Sequence, residues 1–214
     1  MRWLRNLVAV TFLLATPVFA APLQIVALGD SLTQGYGLAP EDGLVPQLQA
    51  WLVAAGADVV VQNAGVSGDT TAGGRARLEW SLAGGADALI VALGGNDLLR
   101  GLPPEVSRAN LDAILSEADA RDLPVLLVGL PAPSNYGAEY QTAFDAIFPD
   151  LAAAHGALLL ENLLAPIMAL SAQERSAREL MQSDGIHPAP EGVQMVVAQL
   201  GPKVLDLLAQ VPPR

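Results

Sequence analysis

Cysteine is absent from the 214-residue chain, which excludes disulfides, thiolate metal sites and a cysteine nucleophile. Histidine occurs only twice, so any histidine-dependent chemistry must use His155 or His187. Basic residues are scarce as well: 11 Lys and Arg stand against 22 Asp and Glu, a formal charge of −11. A chain this acidic lacks the electrostatic footprint of a nucleic-acid binder and repels polyanions. Neutral or zwitterionic small molecules are therefore the expected partners. No internal repeat, low-complexity tract or long linker divides the sequence, and its length suits one domain with a substantial core.

The first twenty residues stand apart. Arg2 and Arg5 precede an apolar stretch from Leu7 to Ala15, followed by Pro17 and then Val18-Phe19-Ala20. This is the pattern of a secretory signal peptide cleaved after Ala20, and the apolar stretch is short for a membrane span. The expectation is an exported protein, periplasmic or secreted, with residues 1–20 removed, residues 21–214 as the mature domain and no stable membrane anchor. Losing the two arginines leaves nine basic residues against 22 acidic, a charge of −13.

Beyond that segment, apolar runs alternate with helix-like stretches. Leu23–Leu28, Asp58–Val61, Ala88–Leu93, Pro124–Gly129 and Ala157–Leu160 read as short strands buried on both faces. Between them, helical spacing is expected over 43–55, 71–83, 103–121 and 138–155, then in two small pieces and finally over 189–209. Strands and helices in this alternation predict an α/β fold with a mainly parallel sheet covered on both sides.

Ser31, Gly68 and Asn96 each fall just past the carboxyl end of strands one, two and three, and Asp184 and His187 lie in a late loop beyond strand five. Loops on that edge of a parallel sheet converge and line a crevice. Gly29-Asp30-Ser31 can be a turn and helix cap, or can present a nucleophile. His155, before Gly156 at a helix end, is expected to contact the last helical carbonyls. His187 has Asp184 three residues earlier, a spacing that lets a carboxylate hold Nδ1–H and leave Nε2 as a base. Gly68 and Asn96 could supply oxyanion donors or be plain turn residues. Asp30, Asp69 and Asp97 read better as turn and cap residues than as metal ligands, so no metal or other cofactor is expected. Leu130, Pro133 and Tyr136, in a proline-stiffened loop after the fourth strand, are either acyl-pocket residues or a simple connection.

Gly29-Asp30-Ser31-Leu32, Gly65-Val66-Ser67-Gly68-Asp69-Thr70, Gly94-Gly95-Asn96-Asp97 and Asp184-Gly185-Ile186-His187-Pro188 together resemble the four blocks of the GDSL-type, or SGNH, hydrolases. The chain is most similar to that family's small periplasmic thioesterase, lysophospholipase and arylesterase branch, to which Asn135-Tyr136-Gly137 adds. The resemblance implies a three-layer, flavodoxin-like α/β/α sandwich around a five-stranded parallel sheet. It also implies Ser31 as nucleophile, His187 as base, Asp184 as its orienter, and Ser31 N–H, Gly68 N–H and the Asn96 side chain as the oxyanion hole. The implied activity is hydrolysis of aryl, short or medium acyl and lysophospholipid esters, with thioesters within reach. A carbohydrate O-acetylesterase on the same fold is the alternative, and a binding module that has kept the fold is a third. A monomer is expected, no apolar stripe being left over in the sequence. Thr33 stands where the G-x-S-x-G elbow of α/β-hydrolases would need its second glycine.

Overall fold

The computed structural model describes residues 21–213; the signal-peptide reading of residues 1–20 lies outside them. Five strands, β1 (Leu23–Gly29), β2 (Val59–Gly65), β3 (Ala88–Ala92), β4 (Val125–Val128) and β5 (Leu158–Leu160), form one sheet in the order β2-β1-β3-β4-β5. Every pairing is parallel. The order reverses at β1, so the crevice of this open sheet lies past the carboxyl ends of β1 and its neighbours.

The helices in chain order are α1 (Ser31–Gln34), α2 (Leu44–Ala54), α3 (Thr71–Ala76), α4 (Leu78–Leu82), α5 (Gly95–Leu99) and α6 (Pro104–Asp119). After them come α7 (Ala138–Asp145), α8 (Ile147–His155), α9 (Ala165–Met168), α10 (Ala172–Ala177) and α11 (Pro190–Leu208). Successive strand residues point to opposite faces, so β1 divides its side chains between two cores. Ile25 and Ala27 face α2, α9 and α11, packing with Leu48, Leu52, Ile167 and Leu200. Val26 and Leu28 face α4, α6, α7 and α8, packing with Leu78, Leu111, Phe144 and Leu151. The result is a three-layer α/β/α sandwich. Burying each such Leu or Val contributes roughly 1.5–3 kcal/mol, which makes these two layers the rigid base on which the loops stand. Trp51 of α2 packs against α11: a Cβ added at Gly201 would come within 2.4 Å of its ring, so only glycine lets α11 lie this close to α2.

Three of the expected elements differ in extent from the sequence reading, and α1 and α5 are short helices where it had only loops. β2 continues to Gly65 because Asn63, Ala64 and Gly65 pair with Ala27, Leu28 and Gly29. The helix expected over 138–155 breaks at Ala146; Pro149 has no N–H to donate to Asp145, so the ladder cannot run through. The helix expected over 71–83 likewise breaks at Arg77.

His155 does not cap carbonyls. Its Nδ1 lies 2.5 Å from Asp119 Oδ2 and its Nε2 3.0 Å from Asp112 Oδ1, both on α6. Two carboxylates can both be satisfied only by an imidazolium, which donates from both nitrogens. Burial alone would lower the His155 pKa, but the hydrogen bonds it donates to Asp119 and Asp112, with the attraction of their charges, outweigh it and the net shift is upward. A histidine with a raised folded-state pKa adds stability that is complete below its unfolded pKa and disappears as pH rises through the folded value. Urea unfolding at a series of pH values is therefore expected to show a fall in stability on the alkaline side of about pH 6.5 that His155→Gln removes. An identical pH dependence in the variant would show that the clamp between α6 and α8 contributes nothing.

Candidate active site

β1 ends at Gly29 and the chain turns directly into α1. Asp30 Oδ1 accepts a hydrogen bond from Leu32 N–H at 3.1 Å, capping the short helix and leaving Ser31 at its first position. β2 ends against this turn: a Cβ on Gly65 would sit 2.3 Å from the Gln34 nitrogen, so a larger residue there would push the second loop away from the first.

The late loop is shaped by one carboxylate. Asp184 Oδ1 accepts from Ile186 N–H at 2.9 Å and His187 N–H at 3.0 Å, while Oδ2 lies 2.6 Å from His187 Nδ1. Donation by the His187 backbone N–H, then by its ring, then by the Ile186 N–H, holds the Asp184 pKa down at about 2. Its stabilising contribution to the loop is thus present above the ordinary carboxylate range and is lost as pH falls towards about 2. An acceptor-only group on Nδ1 fixes the proton there, so the Nε2 lone pair points outward. Ser31 Oγ lies 2.8 Å from that nitrogen, across 156 residues of sequence. The Tyr36 ring covers the imidazole, with centroids 4.8 Å apart.

Gly68 and Asn96 line the same cleft as Ser31 and His187. Gly68 has φ +82°, a left-handed conformation that favours glycine, and its carbonyl is held at 2.8 Å by Arg100 Nη2. Asn96 Nδ2 lies 3.4 Å from Asp30 Oδ2, which orients the amide. Asp30 is 5% exposed, and this burial pushes its pKa up to about 6 against the opposing effects of Leu32 N–H and His187. The cleft has a volume of about 280 Å³, and Leu99, Leu130, Leu164 and Ile186 give it an apolar wall.

The sequence grouped Leu130, Pro133 and Tyr136, but the structure separates them. Leu130 lines the cleft, whereas Pro133 is exposed and the Tyr136 ring packs on Tyr140 at 4.9 Å. Asp145 Oδ1 captures the Ala132 N–H at 2.7 Å, and the chain then turns outward into a tight turn over Ser134–Tyr136. Of the other residues in that wall, Leu99 and Leu164 carried no pattern that marked them, and Ile186 lay inside the last block without being singled out.

The three acidic residues near the blocks are each engaged by the protein. Asp30 caps α1, and Asp69 pairs with Arg77 at 2.6 Å. Asp97, fully buried, accepts from Thr71 N–H at 2.8 Å, Thr71 Oγ1 at 2.5 Å and Ser107 Oγ at 3.0 Å. The cap of α3 falls to Thr70, whose hydroxyl accepts from Gly73 N–H at 3.3 Å. Among the described residues, no group of three or more acidic or histidine side chains is placed to hold a metal ion.

The model of the GDSL-like lipase/acylhydrolase family matches residues 27–195. The chain is 37% identical over 190 residues to the esterase TesA of Pseudomonas aeruginosa, covering 88% of this chain and 91% of that one. It is 35% identical over 172 residues to the thioesterase 1/protease 1/lysophospholipase L1 of Escherichia coli K12, covering 79% and 77%. Among solved structures it resembles AlinE4, an SGNH-hydrolase family esterase, with a TM-score of 0.71, 40% identity and coverage of 89% of this chain and 99% of that one.

Proposed function

This chain belongs to the GDSL-like lipase/acylhydrolase family, and we propose that it hydrolyses carboxylic esters through an acyl-serine intermediate on Ser31. The observation that carries the proposal is the unbroken chain of short contacts from Asp184 Oδ2 to His187 Nδ1 (2.6 Å) and from His187 Nε2 to Ser31 Oγ (2.8 Å).

Ser31 Oγ attacks the substrate carbonyl as Nε2 of His187 takes its proton, and the Asp184 carboxylate stabilises the imidazolium that forms. The developing oxyanion is met by the N–H groups of Ser31 and Gly68 and by the Asn96 amide. Collapse expels the alcohol or thiol, protonated by His187, and leaves the acyl group on Ser31. Water then enters, loses a proton to His187 and releases the acid, restoring the serine. None of these steps draws on a metal.

The apolar wall favours an acyl chain of some length. We assign aryl esters, short and medium acyl esters and lysophospholipids as substrates, with thioesters cleaved by the same chemistry. The reading places the enzyme outside the cytoplasm as a monomer; that compartment would offer it no acyl-coenzyme A, and its net negative charge would repel that polyanion. No helix among the described residues is long and apolar enough to cross a membrane.

A series of nitrophenyl esters from acetyl to decanoyl tests the substrate assignment. kcat/KM is expected to rise roughly two- to fourfold per methylene while the chain stays on the apolar wall. A sharp preference for acetyl would point instead to an O-acetylesterase acting on acetylated sugars.

A further inference from the structure

Arg77 sits where one helix ends and the next begins, with its side chain 17% exposed, and it turns its guanidinium back beneath the loops of the site. Nη2 donates to the Gly29 carbonyl at 2.8 Å and Nη1 to the Ala64 carbonyl at 2.7 Å. Nε donates to Asp69 Oδ2 at 2.6 Å. A weaker contact of 3.4 Å joins Nη1 to Ser81 Oγ.

These acceptors are not scattered. Gly29 ends β1 two residues before Ser31, and Ala64 lies at the carboxyl end of β2, an edge strand of the sheet. Asp69 is the residue after Gly68. One planar cation therefore grips the strand that leads to the serine, the strand that leads to the glycine loop, and that loop's far side. The Gly29 carbonyl also accepts the Val66 N–H at 3.1 Å, so the two loops meet on a shared acceptor that the guanidinium anchors from below. The fork geometry of arginine suits this role, because it offers several donors in fixed directions where lysine offers one point charge.

We propose that Arg77 is a positioning residue that fixes the separation between the backbone N–H groups of Ser31 and Gly68. This rests on the reading of those two groups as oxyanion donors. Arg77 touches neither substrate nor the reacting atoms; it acts through the two backbone segments it ties. The third donor, Asn96, is oriented by Asp30 Oδ2 at 3.4 Å and is followed by the buried Asp97; Arg77 bonds neither of them. The direct ties of Arg77 are to the backbone pair's two segments. Because a misplacement of about 1 Å costs on the order of 10²-fold in rate, the tie affects turnover far more than substrate binding.

The test compares wild type, Arg77→Lys, Arg77→Met and Asp69→Asn, each titrated for functional sites by exhaustive labelling with a fluorophosphonate probe. Turnover of a nitrophenyl ester is then expressed per labelled site. Arg77→Met is expected to lower kcat by about 10- to 100-fold with KM within a factor of about three. Arg77→Lys should fall between it and wild type, and Asp69→Asn should move the same way by a smaller factor. The fluorophosphonate labelling rate, which needs the same donors, should drop in parallel with kcat. If the variants show fewer labelled sites or a lower melting temperature but wild-type kcat per site, Arg77 only supports the fold and the proposal fails. Should wild type take no label, or should Ser31→Ala keep wild-type turnover, the acyl-serine reading itself fails, a result distinct from any seen in the Arg77 series alone.

Discussion

Ser31→Ala is expected to lower ester hydrolysis by on the order of 10⁴- to 10⁶-fold, with the protein folded and its melting temperature close to wild type. The side chain contributes little to packing: Ser31 is half-buried and lines the cleft, and its Oγ is bonded to His187 Nε2. Its backbone does the structural work, since Gly35 and Tyr36 N–H both bond the Ser31 carbonyl, and alanine keeps that carbonyl. Residual activity would reflect what remains of the site, namely the oxyanion donors and the apolar wall acting on an attacking water. Circular dichroism and thermal melting beside the rate measurement separate lost chemistry from lost fold. A folded variant with turnover within tenfold of wild type would mean that the hydroxyl is not the nucleophile.

The second large effect is expected from Asp184→Asn, on the order of 10⁴-fold in kcat, and its origin lies in how the carboxylate is shared. Oδ1 must accept from two backbone N–H groups, those of Ile186 and His187. In the asparagine variant only the amide oxygen can do that, so the amide nitrogen is directed at His187 Nδ1. A donor there makes Nδ1 the acceptor and moves the ring proton to Nε2, where it faces Ser31 and cannot take a proton from it. The loop keeps its shape while the base is lost. Asp184→Ala removes the shaping bonds too and should also lower stability. If Asp184→Asn retained more than a tenth of wild-type kcat, the tautomer argument would be wrong.

Much of the architecture was legible because it rests on local pattern. The runs Ala88–Leu93 and Pro124–Gly129 are apolar on both faces, as strands within a covered parallel sheet must be, and they appear in the structure as β3 over Ala88–Ala92 and β4 over Val125–Val128. The order of Ser31, Gly68, Asn96 and His187 along the chain marked which loops would face the crevice. Their separations could not be read from order, since the contact between Ser31 and His187 joins the two ends of the fold. The Asp184–His187 pairing is local, three residues apart, and its spacing was visible in the sequence.

What stayed hidden shares a different property. Besides Asp69, Arg77 bonds the backbone carbonyls of Gly29 and Ala64, and since every residue has a carbonyl no residue pattern announces those two partners. Asp97 looked like a turn residue because its burial depends on Thr71 and Ser107, supplied by two other helices. His155 was assigned to its own helix end, whereas its partners Asp112 and Asp119 lie on α6. The acyl wall was sought in one contiguous loop, yet Leu99, Leu130, Leu164 and Ile186 come from four separate segments. The break at Ala146 is the exception: Pro149 was in view, and its missing N–H was reason enough to expect two helices.

The most direct test is intact and peptide mass spectrometry of the full protein after reaction with a fluorophosphonate. One phosphonyl group per chain, located on the peptide that contains Ser31 and absent from Ser31→Ala, is the predicted result. An active enzyme that takes up no label, or carries it at another residue while Ser31 remains free, would contradict the account.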